Sequence, residues 1–231
     1  VLEFTTKNSG LSSKNFGVFG SLLHGFYHPK FSDIDLIIYG RENTVRLCAT
    51  LRELYMDWHS LLKNEFESDD SFKGKNWRFQ NYSPKEFVWH QQRKMVYALF
   101  NDLESGRIIK TEFEPVRDWR EIGEQHFSGT KIVQKGWVRM FACITEDQDA
   151  AFIPSIYGIV PLKVLDGAIG ADEAKRVVSY LEEFRMQVKK DEKVYVEGNL
   201  EQVTTLRGCF HQITLTYCPK YYKQVLKIVL S

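Results

Sequence analysis

A short strand, a glycine-serine break and two acids one residue apart constrain this chain more than any other feature. Phe16-Gly-Val-Phe19 reads as a buried strand. Gly20-Ser21 interrupts it and opens a short helix or turn through Phe26, and residues 27–32, with Pro29, read as a loop. Asp33-Ile-Asp35-Leu-Ile-Ile-Tyr39 is then a strand dense in β-branched residues and closed by Gly40. Side chains alternate along a strand, so Asp33 and Asp35 project to one side while Ile34 and Leu36 turn into the core.

Two carboxylates held side by side repel unless a cation lies between them. A hard cation such as Mg²⁺ takes oxygen ligands and keeps positions open for phosphates. Glycine lets backbone approach a ligand closely. Free N–H groups at a helix start attract phosphate, and the Ser21 hydroxyl adds a donor. Ser21 as a plain helix cap is compatible with the same placement.

The remaining pattern divides the chain. Leu47, Cys48, Leu51, Leu54, Tyr55, Trp58, Leu61 and Leu62 recur at steps of three and four and predict a helix over 44–63, capped by Asn43 or Thr44. Ser83-Pro84-Lys85-Glu86 signals a second helix start through a capping box, and that helix is expected to reach Glu104, with Gly106 ending it. Residues 107–116 read as a strand, and Asp118 to Glu121 as a short helical stretch. Past residue 130 the period becomes two: Val138, Met140, Ala142 and Ile144 alternate with polar or opposite-facing neighbours. Phe184, Met186 and Val188, Val194 and Val196, and Ile213 and Leu215 repeat that pattern. The expected fold is therefore α+β, with a domain at 1–127 and an antiparallel β-barrel-like domain at 128–231.

Gly20-Ser21, a spacer of eleven residues, then Asp33-Ile-Asp35-Leu-Ile-Ile resembles the signature of the DNA polymerase beta-like nucleotidyltransferase superfamily. More narrowly, Phe19-Gly-Ser-Leu-Leu-His-Gly-Phe-Tyr-His-Pro-Lys-Phe-Ser-Asp-Ile-Asp-Leu36 is similar to uncharacterised predicted nucleotidyltransferases of archaea. The likeness covers about residues 14–116. It implies a mixed sheet with helices, a nucleoside triphosphate donor, two Mg²⁺ ions, and transfer of a nucleoside monophosphate to an acceptor hydroxyl. The acceptor stays open: nucleic acid (RNA included), small molecule or protein. By the same resemblance Asp33 and Asp35 are catalytic metal ligands, and Gly20 and Ser21 hold the triphosphate. A third carboxylate is expected on a later strand, and in CCA-adding members it stands three residues before a proline. Glu112 takes that place ahead of Pro115, with Glu114 on the same face as the alternative. A glutamate there departs from the commoner aspartate and lengthens the reach to the metals. The second reading of the whole chain is a nucleotide- or RNA-binding module that keeps the fold without turnover.

Other residues carry two readings each. Arg93 and Lys94, placed mid-helix, are candidate nucleotide contacts or a solvated basic face; being adjacent, they point about 100° apart, so at most one faces a triphosphate. His24 and His28 touch substrate or are ordinary surface histidines. The stretch 72–82 interleaves Lys73, Lys75 and Arg78 with Phe72, Trp77, Phe79 and Tyr82, as a nucleic-acid contact or as a loop with its aromatics packed beneath it. Lys193 to Glu201 is reminiscent of a strand in oligonucleotide-binding barrels, with packing or dimerisation the other reading. Cys48, Cys143, Cys209 and Cys218 form no Cys-x-x-Cys pair and read as mostly buried thiols of a reducing, cytoplasmic setting. Cys209, His211 and Cys218 match no known zinc spacing. A net charge of +1 advertises no long nucleic-acid footprint. No apolar run is long enough for a membrane span. The start at Val1 rather than Met suggests a missing upstream portion.

Overall fold

The computed structural model describes residues 1–67, 77–122, 130–217 and 220–229. The chain divides into two units, Val1–Lys75 with Gln91–Ile122, and Asn76–His90 with Gly123–Ser231. This differs from a single cut after residue 127, because 76–90 groups with the C-terminal unit.

In the first unit, α1 (Leu2–Ser9) precedes β1 (Phe16–Val18), α2 (Gly20–Leu23), β2 (Ile34–Tyr39), α3 (Arg41–Met56) and β3 (Leu62–Asn64). β4 (Tyr97–Asp102) and β5 (Arg107–Val116) complete it. The sheet order is β1-β2-β5-β4-β3, with β2 and β5 parallel and the other neighbours antiparallel. On α3, Thr44, Leu47, Leu51 and Leu54 are buried at helical spacing. The three leucines share one core cluster with Leu36, Ile38, Leu62, Ala98, Phe100 and Phe113 of the sheet. By alternation, Asp35 and Ile37 of β2, and Lys110, Glu112 and Glu114 of β5, fall on the opposite face.

Two helices are shorter than their patterns suggest. α3 starts at Arg41, not at 44, after Gly40 at φ 87. Thr44 Oγ donates back to the Gly40 carbonyl at 2.8 Å, and Asn43 Nδ2 to that of Tyr39 at 2.7 Å, so neither is the cap. The helix stops at Met56 because Asp57 organises a turn, accepting from His59 N at 2.9 Å and Ser60 N at 3.1 Å. Trp58 is consequently 86% exposed, and Leu62 joins a strand.

α4 (Pro84–Gln92) begins as expected, with Glu86 Oε2 accepting from Ser83 N at 2.8 Å and Ser83 Oγ from Glu86 N at 3.2 Å. It does not reach Glu104. Met95 turns to φ 55, and Tyr97–Asp102 pairs between β3 and β5. Long-range pairing here outweighs a locally helix-compatible apolar spacing.

The second unit carries β6 (Lys131–Asp149), β7 (Ser155–Asp166), β8 (Ala174–Ser179), β9 (Lys193–Thr205), β10 (Gly208–Leu215) and β11 (Val225–Ile228). The order is β10-β8-β7-β6-β9-β11, and β10 also pairs with β9, so the sequence of neighbours returns on itself. All ladders are antiparallel except β8 with β10. Phe184 and Val188 are buried as alternation suggests, yet no strand forms there. The backbone donors go elsewhere: Arg185 N to the Glu182 carbonyl at 3.0 Å, and Gln187 N to the Tyr157 hydroxyl at 3.0 Å.

The segment after residue 76 fastens onto this unit. Trp77, Phe79, Tyr82 and Phe87 join its core cluster, and Lys227 Nζ donates to Glu86 Oε1 at 2.7 Å and to the Asn81 carbonyl at 3.0 Å. Of the 72–82 stretch, Phe72, Lys73 and Lys75 lie outside the described residues. Trp77, Phe79 and Tyr82 pack inward, while Arg78 is exposed and donates to the Tyr222 hydroxyl at 3.2 Å. Among the described residues, no helix is long and apolar enough to cross a membrane.

Candidate active site

The Gly20 turn lies directly over the Asp35 carboxylate. Phe19 N donates to the Asp35 carbonyl at 3.3 Å, extending the β1–β2 pairing by one bond. Gly20 then takes φ 62, and a Cβ there would stand 2.4 Å from Asp35 Oδ2. Only glycine allows both the left-handed backbone and this approach. Ser21 is the second residue of the four-residue α2, whose N-cap position is Phe19 without a side-chain bond, so Ser21 does not cap it. Its own carbonyl accepts from Phe26 N at 3.2 Å, which curls the chain into the following loop.

The parallel register puts Asp35 beside Glu112 and Ile37 beside Glu114. Glu112 is therefore the acid adjacent to Asp35, with Glu114 two residues further along the strand. Burial, and then the charge of Asp33, raise the Asp35 carboxyl above its ordinary value, against a smaller opposing pull from Lys110. The charge that Asp33 sets against Asp35 is what a cation would relieve.

Lys110 and Glu65 join this face and were not singled out from the sequence. Lys110 Nζ lies 3.1 Å from Glu65 Oε1. Burial pulls the ammonium down, but Glu65, with Asp33 and Glu112, holds it above its usual value. The available signal was the period of two: a lysine two residues before Glu112 on a strand must share its face.

The other candidates fall elsewhere. Arg93 and Lys94 lie just past the end of α4, not mid-helix. Lys94 is fully buried, so its ammonium is not presented to a triphosphate arriving from solvent; Arg93 is half-buried. His24 and His28 are exposed in the loop between the Gly20 turn and the acids. In the second unit, Cys209 is exposed and His211 Nδ1 stands 3.5 Å from Glu173 Oε2, while Cys218 lies outside the described residues. Cys48 and Cys143 are half-buried, so the thiols are less enclosed than expected.

Asp33, Asp35 and Glu112 are the carboxylates that would offer hard-oxygen donors to a Mg²⁺ ion here. Among the described residues, no three His, Cys, Asp or Glu side chains converge closely enough to hold a metal ion as they stand.

Residues 1–114 match the family model described as a nucleotidyltransferase domain. The chain is 26% identical over 214 residues to the uncharacterized protein MJ1086 of Methanocaldococcus jannaschii, a match covering 90% of this chain and 56% of that protein. The chain thus spans little more than half the length of this relative. No solved structure matches.

Proposed function

With residues 1–114 belonging to the nucleotidyltransferase domain family, we propose that the chain transfers a nucleoside monophosphate from a nucleoside triphosphate to an acceptor hydroxyl. The observation that carries this reading is the Gly20 backbone over the Asp35 carboxylate, with Glu112 as the register partner of Asp35. Asp33, Asp35 and Glu112 would hold two Mg²⁺ ions. When bound, these ions supply charge neutralisation at the attacking and leaving oxygens of an in-line displacement.

The chain's own groups do the positioning. The glycine-opened turn and the Ser21 hydroxyl orient the triphosphate by hydrogen bonds to its oxygens. Asp33 and Asp35 would hold the ions against which the α-phosphate end lies beside the acceptor. Glu112 takes the proton from the acceptor hydroxyl as its oxygen bonds to the α-phosphorus, and the bond to the bridging oxygen breaks to release pyrophosphate. Positioning of this kind is most of what such a transfer requires of a protein. The second unit is read as a small closed barrel, supported by its returning strand order.

The test is metal-dependent incorporation from labelled triphosphates into RNA, DNA or protein. Label should enter one acceptor with wild-type chain and Mg²⁺, and vanish with Asp33→Ala or Asp35→Asn. Nucleotide or RNA binding without transfer, unaltered by Asp33→Ala, would instead identify a binding module.

A further inference from the structure

The loop between the Gly20 turn and the acids displays rings that an ordinary surface loop does not. Leu23 is 58% exposed, Phe26 70%, Tyr27 51% and Phe31 78%. An apolar patch of this kind beside a site marks an interaction surface. The rings are already ordered. His24 and Phe26 stack with centroids 5.7 Å apart and planes 8° from parallel, and His28 and Phe31 stack at 4.7 Å and 25°. His28 is fixed in place: its N–H donates to Ser32 Oγ at 2.8 Å, and its Nδ1 accepts from Lys30 N at 3.2 Å. Arg107 Nη1 donates to the Pro29 carbonyl, anchoring the loop to the start of β5.

The charge is one-signed. Residues 20–32 contain one cation, Lys30, and no Asp or Glu. Flat exposed rings beside a lysine, in a stretch free of acids, suit nucleobases and their phosphates. A protein partner would be served by the apolar area alone and would not need stacked ring pairs without a single acid. We propose that Leu22–Phe31 is a stacking platform for an unpaired nucleic-acid strand, delivered as the acceptor to the adjacent carboxylates. Its role as acceptor rests on the transferase reading; strand binding by the loop does not.

The experiment measures binding of a labelled mixed-sequence RNA or DNA single strand by fluorescence anisotropy, using the full chain in chelator so that no metal contributes. Phe26→Ala/Phe31→Ala should weaken single-strand binding about tenfold or more, since each stacked base contributes substantially. Phe26→Trp/Phe31→Trp should retain it, and a duplex of the same sequence should bind more weakly. Both side chains are exposed, so unfolding midpoints should match wild type. Undiminished binding by the alanine pair overturns the proposal. So does competition by free nucleoside triphosphate as effective as that by strand, which would make the loop a donor-base pocket. Label transfer to protein that fails in the alanine pair while strand binding persists also overturns it, in favour of a protein acceptor. Strand binding governed by these rings without transfer to any acceptor leaves the platform standing and removes the transferase reading.

Discussion

Gly20→Ala separates the geometry of the candidate site from the stability of the fold. The residue sits at φ 62, where an alanine pays about 1–2 kcal/mol. Its Cβ would lie 2.4 Å from Asp35 Oδ2 and 3.4 Å from Asp35 Cγ. Comfortable non-bonded contact needs about 3.5 Å, so the carboxylate must retreat by about 1 Å. Asp35 Oδ2 ends a rotatable side chain, so the strain is relieved by swinging the acid rather than by unfolding. A displacement of about 1 Å in a reacting geometry costs roughly a hundredfold in rate. The matched control is Gly106→Ala in the β4–β5 turn, at φ 67 with nothing within 4 Å of a Cβ. Both variants should lose about 1–2 kcal/mol, lowering the thermal midpoint by roughly 2–8 °C. Only Gly20→Ala should lose about two orders of magnitude in single-turnover transfer. Equal transfer by the two variants would refute the link between Gly20 and the acid.

Three further outcomes are expected. Glu112→Gln should lower transfer about a hundredfold or more, the scale of a lost general base, while Glu114→Gln stays near wild type; steady-state assay of both decides which is the third acid. Asp35 has a folded pKa above its unfolded value of 3.8, so its ionisation opposes folding at neutral pH and the cost fades as pH falls through the folded pKa. Asp35→Asn should therefore raise the unfolding midpoint at neutral pH, with the difference vanishing below pH 3.8 and narrowing when Mg²⁺ is added; a pH-independent difference would contradict this assignment. Leu51→Ala removes a fully buried side chain under the sheet and should cost about 2–5 kcal/mol in denaturant unfolding, distinguishable from the site variants by its intact metal response.

Local information decided the parts of this chain that local physics controls. The β2 strand, the Gly20-Ser21 interruption and the capping box at Ser83 and Glu86 follow from propensity, turn chemistry and nearest-neighbour hydrogen bonds, all of which act within a few residues. The sequence also limited the candidate third acid to two glutamates on one strand face. Tertiary pairing decided the rest. Register alone put Glu112, rather than Glu114, against Asp35. Pairing between β3 and β5 turned Tyr97–Asp102 from expected helix into strand, and the irregular bonding of Arg185 and Gln187 broke an expected one. Alternation already put Lys110 on the acidic face, but only the tertiary structure brought Glu65, far away in the chain, to meet it there. Periodicity states which residues share a side of an element; it carries no information about which distant element that side will meet, because that choice is made by the free energy of packing the whole chain at once.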